Sequence, residues 1–93
     1  MVGVLIPGAL QELAGGARRL DVEVPVDGTV GDVLVGLGVA HPALRRRLMD
    51  ETGTVRAYVN VYVDGSDIRH GTGLATPVAD GAVVHILASV AGG

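Results

Sequence analysis

Ala79-Asp80-Gly81-Ala82-Val83-Val84-His85-Ile86-Leu87-Ala88-Ser89-Val90-Ala91-Gly92-Gly93 is the last stretch of the chain, and it divides into three parts. Asp80-Gly81 is a turn signal. Val83 to Leu87 reads as a strand, being short and rich in β-branched and aliphatic residues. Ser89 to Gly93 is a tail of small residues closed by a glycine pair. Glycine carries no Cβ and accepts most backbone conformations, so Gly92 and Gly93 could enter a channel too narrow for other residues. In a chain without cysteine, the Gly93 carboxylate is then the most suggestive reactive group. The doublet alone decides little. With 15 glycines present, a terminal pair arises by chance roughly one time in forty, and Gly15-Gly16 reads simply as a loop.

Upstream of that stretch, Arg56 to Val63 is the clearest strand, with Val59, Val61 and Val63 on one face and Tyr58, Asn60 and Tyr62 on the other. Asp64-Gly65 turns the chain, and Ser66 to Arg69 is expected to return as a short strand. Met1 to Ile6 and Leu20 to Val24 read as strands, separated by about one helical turn over Ala9 to Ala14. Thr29 is a plausible N-cap with Asp32 three residues on. Val30, Val33, Leu34 and Leu37 then form one apolar helical face. Gly38 is a candidate end for this helix. A second helix is expected near His41-Pro42, with Leu44 and Leu48 stacked one turn apart. The order is that of an α+β domain, a mixed sheet with helix on one face.

At 93 residues the chain forms one small domain, too small for a core and a deep catalytic cleft together. Its hydrophobic fraction is 48%, yet it contains no Phe or Trp and two Tyr, so aliphatic side chains must fill the core. The absence of Cys excludes disulfides, thiolate metal sites and cysteine nucleophiles, and a cytoplasmic location fits best. A net charge of -3 argues against nucleic acid as a partner, although Arg45-Arg46-Arg47 are consecutive. All seven basic residues are Arg; without lysine the protein cannot form an isopeptide with its own side chains. No apolar run is long enough for a membrane span, and the start lacks the pattern of a signal peptide.

His41, His70 and His85 share no metal-ligand spacing, so no metal site is expected. Ser66, Asp67 and His70 contain the residue types of a hydrolytic triad, but their adjacency in a turn does not supply its geometry. Gly71-Thr72-Gly73 lacks the rest of a phosphate loop. The residues therefore point away from an enzyme.

Several segments resemble the ubiquitin-like β-grasp sulfur carriers of the MoaD/ThiS family, particularly its CysO-type members. Val59-Asn60-Val61-Tyr62-Val63-Asp64-Gly65 is similar to the family's central strand and turn, Asp67-Ile68-Arg69 to the segment after it, and Gly73-Leu74-Ala75-Thr76-Pro77-Val78 to its connecting loop. The closing stretch resembles the family's Asp-Gly turn, final strand and diglycine tail in order and spacing. The family often has aromatic or proline residues before the tail, where this chain has Leu87-Ala88-Ser89. The resemblance implies a β-grasp domain over residues 1–88, with four to five strands on one main helix and a short second helix, and a flexible tail over 89–93.

It also implies a chemistry. An E1-like enzyme of the MoeB/ThiF kind, with or without a rhodanese domain, would consume ATP to adenylate the Gly93 carboxylate, and a sulfur donor would convert the adenylate to a thiocarboxylate. A sulfur-accepting biosynthetic enzyme would take it up. The carrier itself would bind no cofactor. Val90, Ala91 and Gly92 would thread behind Gly93, and the tail from Ser89 can extend at most about 17 Å. If Val84 and Ile86 face the core, His85 and Leu87 face outward near Tyr58 or Tyr62, and these four form a candidate docking patch. Two other readings stay open: a ubiquitin-like modifier joined through Gly93 to target lysines, and a binding domain with an inert tail.

Overall fold

Alternation of period two in Val59-Asn60-Val61-Tyr62-Val63 produces strand β3 (Val59–Val63), which buries Val59 and Val61 and turns Asn60 and Tyr62 to the other face. The computed structural model describes residues 1–88, so the tail expected at 89–93 lies outside the described residues. The other elements are β1 (Val2–Leu5), a 3-10 helix (Gly8–Ala14), β2 (Arg19–Val22), α1 (Val30–Ala40), α2 (Pro42–Leu48), β4 (Ser66–Asp67), two 3-10 turns (Ile68–His70 and Gly73–Ala75) and β5 (Val83–Ala88). The sheet order is β2-β1-β5-β3-β4. The last strand therefore sits at its centre, parallel to β1 and antiparallel to β3.

One sheet face carries Val2, Val4, Val22, Val59, Val61, Val84 and Ile86, all buried. Opposite them lie Val30, Val33, Leu34 and Leu37 of α1 and Leu44 and Leu48 of α2, also buried. The core is thus aliphatic throughout. Gly36 lets α1 approach β2 closely, because a Cβ there would stand 2.5 Å from Cγ1 of Val22.

Helix α1 begins with a capping box: Asp32 N–H donates to Thr29 Oγ1 at 3.4 Å, and Asp32 Oδ2 accepts from Thr29 N at 2.9 Å. Gly38 does not end the helix, which continues to Ala40. The stop comes from Pro42, whose ring disfavours helical geometry at the preceding residue; His41 has φ -134 and ψ 70. The same proline then occupies the first turn of α2.

Asp64 (φ 47) and Gly65 (φ 90) both adopt left-handed geometry between paired Val63 and Ser66. This is the two-residue hairpin loop that suits the twist of adjoining strands. The returning strand is shorter than expected, for Asp67 ends it by accepting the N–H of Arg69 at 2.8 Å and starting a 3-10 turn. Strand β3 likewise begins at Val59 and not at Arg56, since Ala57 and Tyr58 form a turn.

Candidate functional site

The sheet face away from the helices is set by strand register. Leu5, His85, Tyr62 and Asp67 form one row across β1, β5, β3 and β4, while Leu87 lies directly opposite Asn60 in the neighbouring row. Side chains at paired positions share a face and stand close enough to touch. His85 is exposed and lies between Leu5 and Tyr62, both half-buried; Leu87 is 40% exposed. Three of the four residues named from sequence for a docking patch, His85, Leu87 and Tyr62, thus come together on this face.

Tyr58 does not join them. It lies in the turn before β3, packs on the edge of the core, and its hydroxyl donates to the carbonyl of Arg47 in α2 at 3.2 Å. The phenol needs a partner when partly buried, and the end of α2 offers an unsatisfied carbonyl. Tyr58 therefore ties the helix layer to the start of β3.

Two arginines shape the borders of the face, and local sequence signalled neither. Arg19 lies over β1, where a Cβ on Gly3 would come within 2.3 Å of its Nη2, and its Nε pairs with Asp21 at 3.2 Å. Arg69 serves the opposite border: its guanidinium donates to Asn60 Oδ1 at 2.8 Å, Ala57 O at 3.2 Å and Val59 O at 2.7 Å. Because β4 has only two residues and pairs only with Tyr62 and Val63, no strand lies beside the Val59 carbonyl on that border. The planar fork of Arg69 takes its place.

Strand β5 ends at Ala88, opposite Val59 at the beginning of β3. Val90, Ala91, Gly92 and Gly93 follow beyond the described residues, attached at this end of the central strand. The same end holds the Arg69 guanidinium, Tyr58 and the last turn of α2. At the other end, the Asp80-Gly81 turn is fastened to the chain start, with Gly81 N donating to Met1 O at 2.8 Å and the Met1 ammonium paired with Asp80. Asp80 is accordingly held below the ordinary carboxylate range by that hydrogen bond and charge. Among the described residues, no three His, Asp or Glu side chains are placed to hold a metal ion, and no helix is long and apolar enough to cross a membrane.

The ThiS family model matches residues 4–93. The chain belongs to this family. It is 38% identical over 94 residues to the sulfur carrier protein CysO of Mycobacterium tuberculosis, covering 99% of this chain and 98% of that protein. It is also 38% identical over 78 residues to small archaeal modifier protein 3 of Haloferax volcanii, covering 84% of each. Among solved structures, a chain of the Amycolatopsis orientalis BexX/CysO complex superimposes with a TM-score of 0.89 at 32% identity over the whole of both chains. The ubiquitin-like β-grasp architecture expected from the family resemblance is the one observed, with five strands and two α-helices among the described residues.

Proposed function

We propose that this chain is a sulfur carrier whose reactive group is the Gly93 carboxylate. The observation that carries this reading is the family match running through Gly93, together with near full-length similarity to a sulfur carrier. An E1-like enzyme of the MoeB/ThiF kind would join the carboxylate oxygen to the α-phosphorus of ATP, releasing pyrophosphate. Sulfide sulfur would then attack the carbonyl carbon, the C–O bond to AMP would break, and a thiocarboxylate would remain. The activation is needed because an ionised carboxylate repels nucleophiles and lacks a leaving group.

The fold supplies a handle for that chemistry and no catalytic group of its own. In this reading, His85, Leu87 and Tyr62, with Leu5 beside them, form the surface that the activating enzyme grips. Tyr58 positions the start of β3 behind it. Val90, Ala91 and Gly92 would thread the partner's channel, and a biosynthetic enzyme would accept the sulfur. The cytoplasm, where ATP is abundant, is the compartment for such a reaction.

A modifier function is the second reading, favoured by the similarity to small archaeal modifier protein 3. The two differ in the acceptor, sulfur or a lysine amine. Intact-mass spectrometry after incubation with an activating enzyme, ATP and sulfide distinguishes them. A sulfur-for-oxygen mass gain, lost on deletion of Gly93, is the carrier result. Adducts of the whole chain on other proteins are the modifier result, and an unchanged mass with no adducts would refute both.

A further inference from the structure

We infer that the arginine-rich end of the molecule, from which the tail departs, is a second docking element that fits an acidic protein rim around the activating enzyme's entrance. The inference rests on the sulfur-carrier reading and adds to it the electrostatic character of the partner.

The charges separate along the axis of β5. At its Ala88 end, Arg69 holds the carbonyls of Ala57 and Val59, the latter directly opposite Ala88. Arg56 donates from Nε to Arg46 O at 2.9 Å, and Arg47 O accepts the Tyr58 hydroxyl, so the last turn of α2 is bound to the same end of β3. Arg46, Arg47 and Arg69 are exposed there and Arg56 is half-buried, while the stem of Arg45 lies over Gly38 of α1. Asp50 and Glu51 offset part of this charge. The far end of the strand carries Asp64, whose N donates to Val83 O, and Asp27, which lines the same groove as the Met1–Asp80 ion pair, whose charges cancel.

The strand between these ends has six residues, a length of about 20 Å, which exceeds the screening length of about 8 Å at physiological salt. A partner at one end therefore feels that end's charge far more than the other's. Among the described residues, Arg19 is the only arginine in a salt bridge with a carboxylate, and it lies over β1 with its head away from this end. The basic end consequently retains charge for a partner although the whole chain carries -3. An acidic rim would attract that end and repel the opposite one, so the tail would arrive first. Such steering acts on encounter and falls steeply with salt.

Two charge-matched variants test this. Arg46→Gln/Arg47→Gln and Val26→Glu/Ala79→Glu each lower the net charge from -3 by two, one pair at the tail end and the other at the far end. Their side chains are exposed, and the Arg46 and Arg47 carbonyls persist in the first. ATP–pyrophosphate exchange would be followed with a purified MoeB/ThiF-type enzyme from the same genome, and folding checked by circular dichroism. The arginine variant is expected to raise KM at least about fivefold at 50 mM salt, with kcat unchanged and the gap closing to less than about twofold at 500 mM, while the far-end variant stays within about twofold. Equal effects of the two variants, or none, would overturn the inference while leaving the carrier reading intact. Absence of exchange with the wild-type chain would instead refute the carrier reading. Fluorescence anisotropy with a 20-nucleotide RNA completes the test: salt-sensitive binding lost in the arginine variant would assign this end to nucleic acid, whereas no binding agrees with a protein partner.

Discussion

Replacing Leu87 with alanine separates docking from folding because the side chain is divided between the two. It is 40% exposed, so about two-fifths of its burial free energy is available to a partner and the rest is already realised in the free domain. Full burial of leucine contributes about 1.5–3 kcal/mol, which leaves about 0.6–1.2 kcal/mol for docking. Leu87→Ala should accordingly raise KM for adenylation about three- to eightfold with little change in kcat. The remaining portion, about 1–2 kcal/mol, is lost from the fold and should lower Tm by about 4–14 °C in a domain of this size. Leu87→Asp adds a carboxylate that must be desolvated on docking, and the loss in kcat/KM should reach about a hundredfold. Pyrophosphate exchange measured well below Tm reads the first quantity, and thermal unfolding reads the second. A KM within twofold of wild type for both variants, with Tm lowered as expected, would show that Leu87 serves the fold alone.

Gly36→Ala and Gly38→Ala should shift Tm in opposite directions. At Gly36 the new methyl meets the buried Val22 side chain at 2.5 Å and should cost about 1–3 kcal/mol; at Gly38 it meets Arg45 Cδ at 2.4 Å, which can rotate away, and Arg45 Cβ at 3.2 Å, which must yield slightly, so the helix-propensity gain should stabilise by less than about 1 kcal/mol. Arg69→Met removes three hydrogen bonds from the β3 border, and urea unfolding should show a loss of about 1–2 kcal/mol. Light scattering should also reveal concentration-dependent association through the uncovered strand. The Asp50 carboxyl lies below its ordinary 3.8 because Thr52 Oγ1 and the Thr54 and Thr52 N–H groups donate to it. A depressed folded pKa contributes stability above the unfolded value and loses it as pH falls through the folded one. The Tm difference between wild type and Asp50→Ala should therefore be largest above about pH 4 and shrink below it; a difference independent of pH would remove the carboxylate from the explanation.

Local chemistry made much of the fold legible. Thr29 with Asp32, the alternating valines of β3 and the Asp64-Gly65 turn each act within a few residues, so their sequence signals and their structures coincide. Structure and local signal part where a distant contact or a stronger neighbour intervenes. Gly38 looked like a helix end, but glycine merely weakens a helix while Pro42 constrains His41. Ser66 to Arg69 had strand character, yet Asp67 turned the backbone and Arg69 became a hydrogen-bonding substitute for the missing strand. The outward positions of His85 and Leu87 followed from alternation alone. Their relation to Tyr62, and the departure of Tyr58 toward α2, depend on register between β3 and β5 and on a helix-end carbonyl. The charge separation was equally hidden, since Arg69 and the end of α2 are each tied to the start of β3 only by tertiary hydrogen bonds.

The central position of β5 also has a mechanical consequence. In the proposed reading, a partner that draws on Gly93 would load the Ala88 end of this strand, whose two sides are laddered to β1 and β3. Inter-strand hydrogen bonds run across the strands, so the load is borne in shear by both ladders at once, and no bond can be opened singly in the manner of a zip. An edge strand carrying the same tail would peel away one rung at a time. The domain can thus be held by its tail, pulled into a confined site and released again without unravelling, which is a mechanical requirement of a reusable carrier.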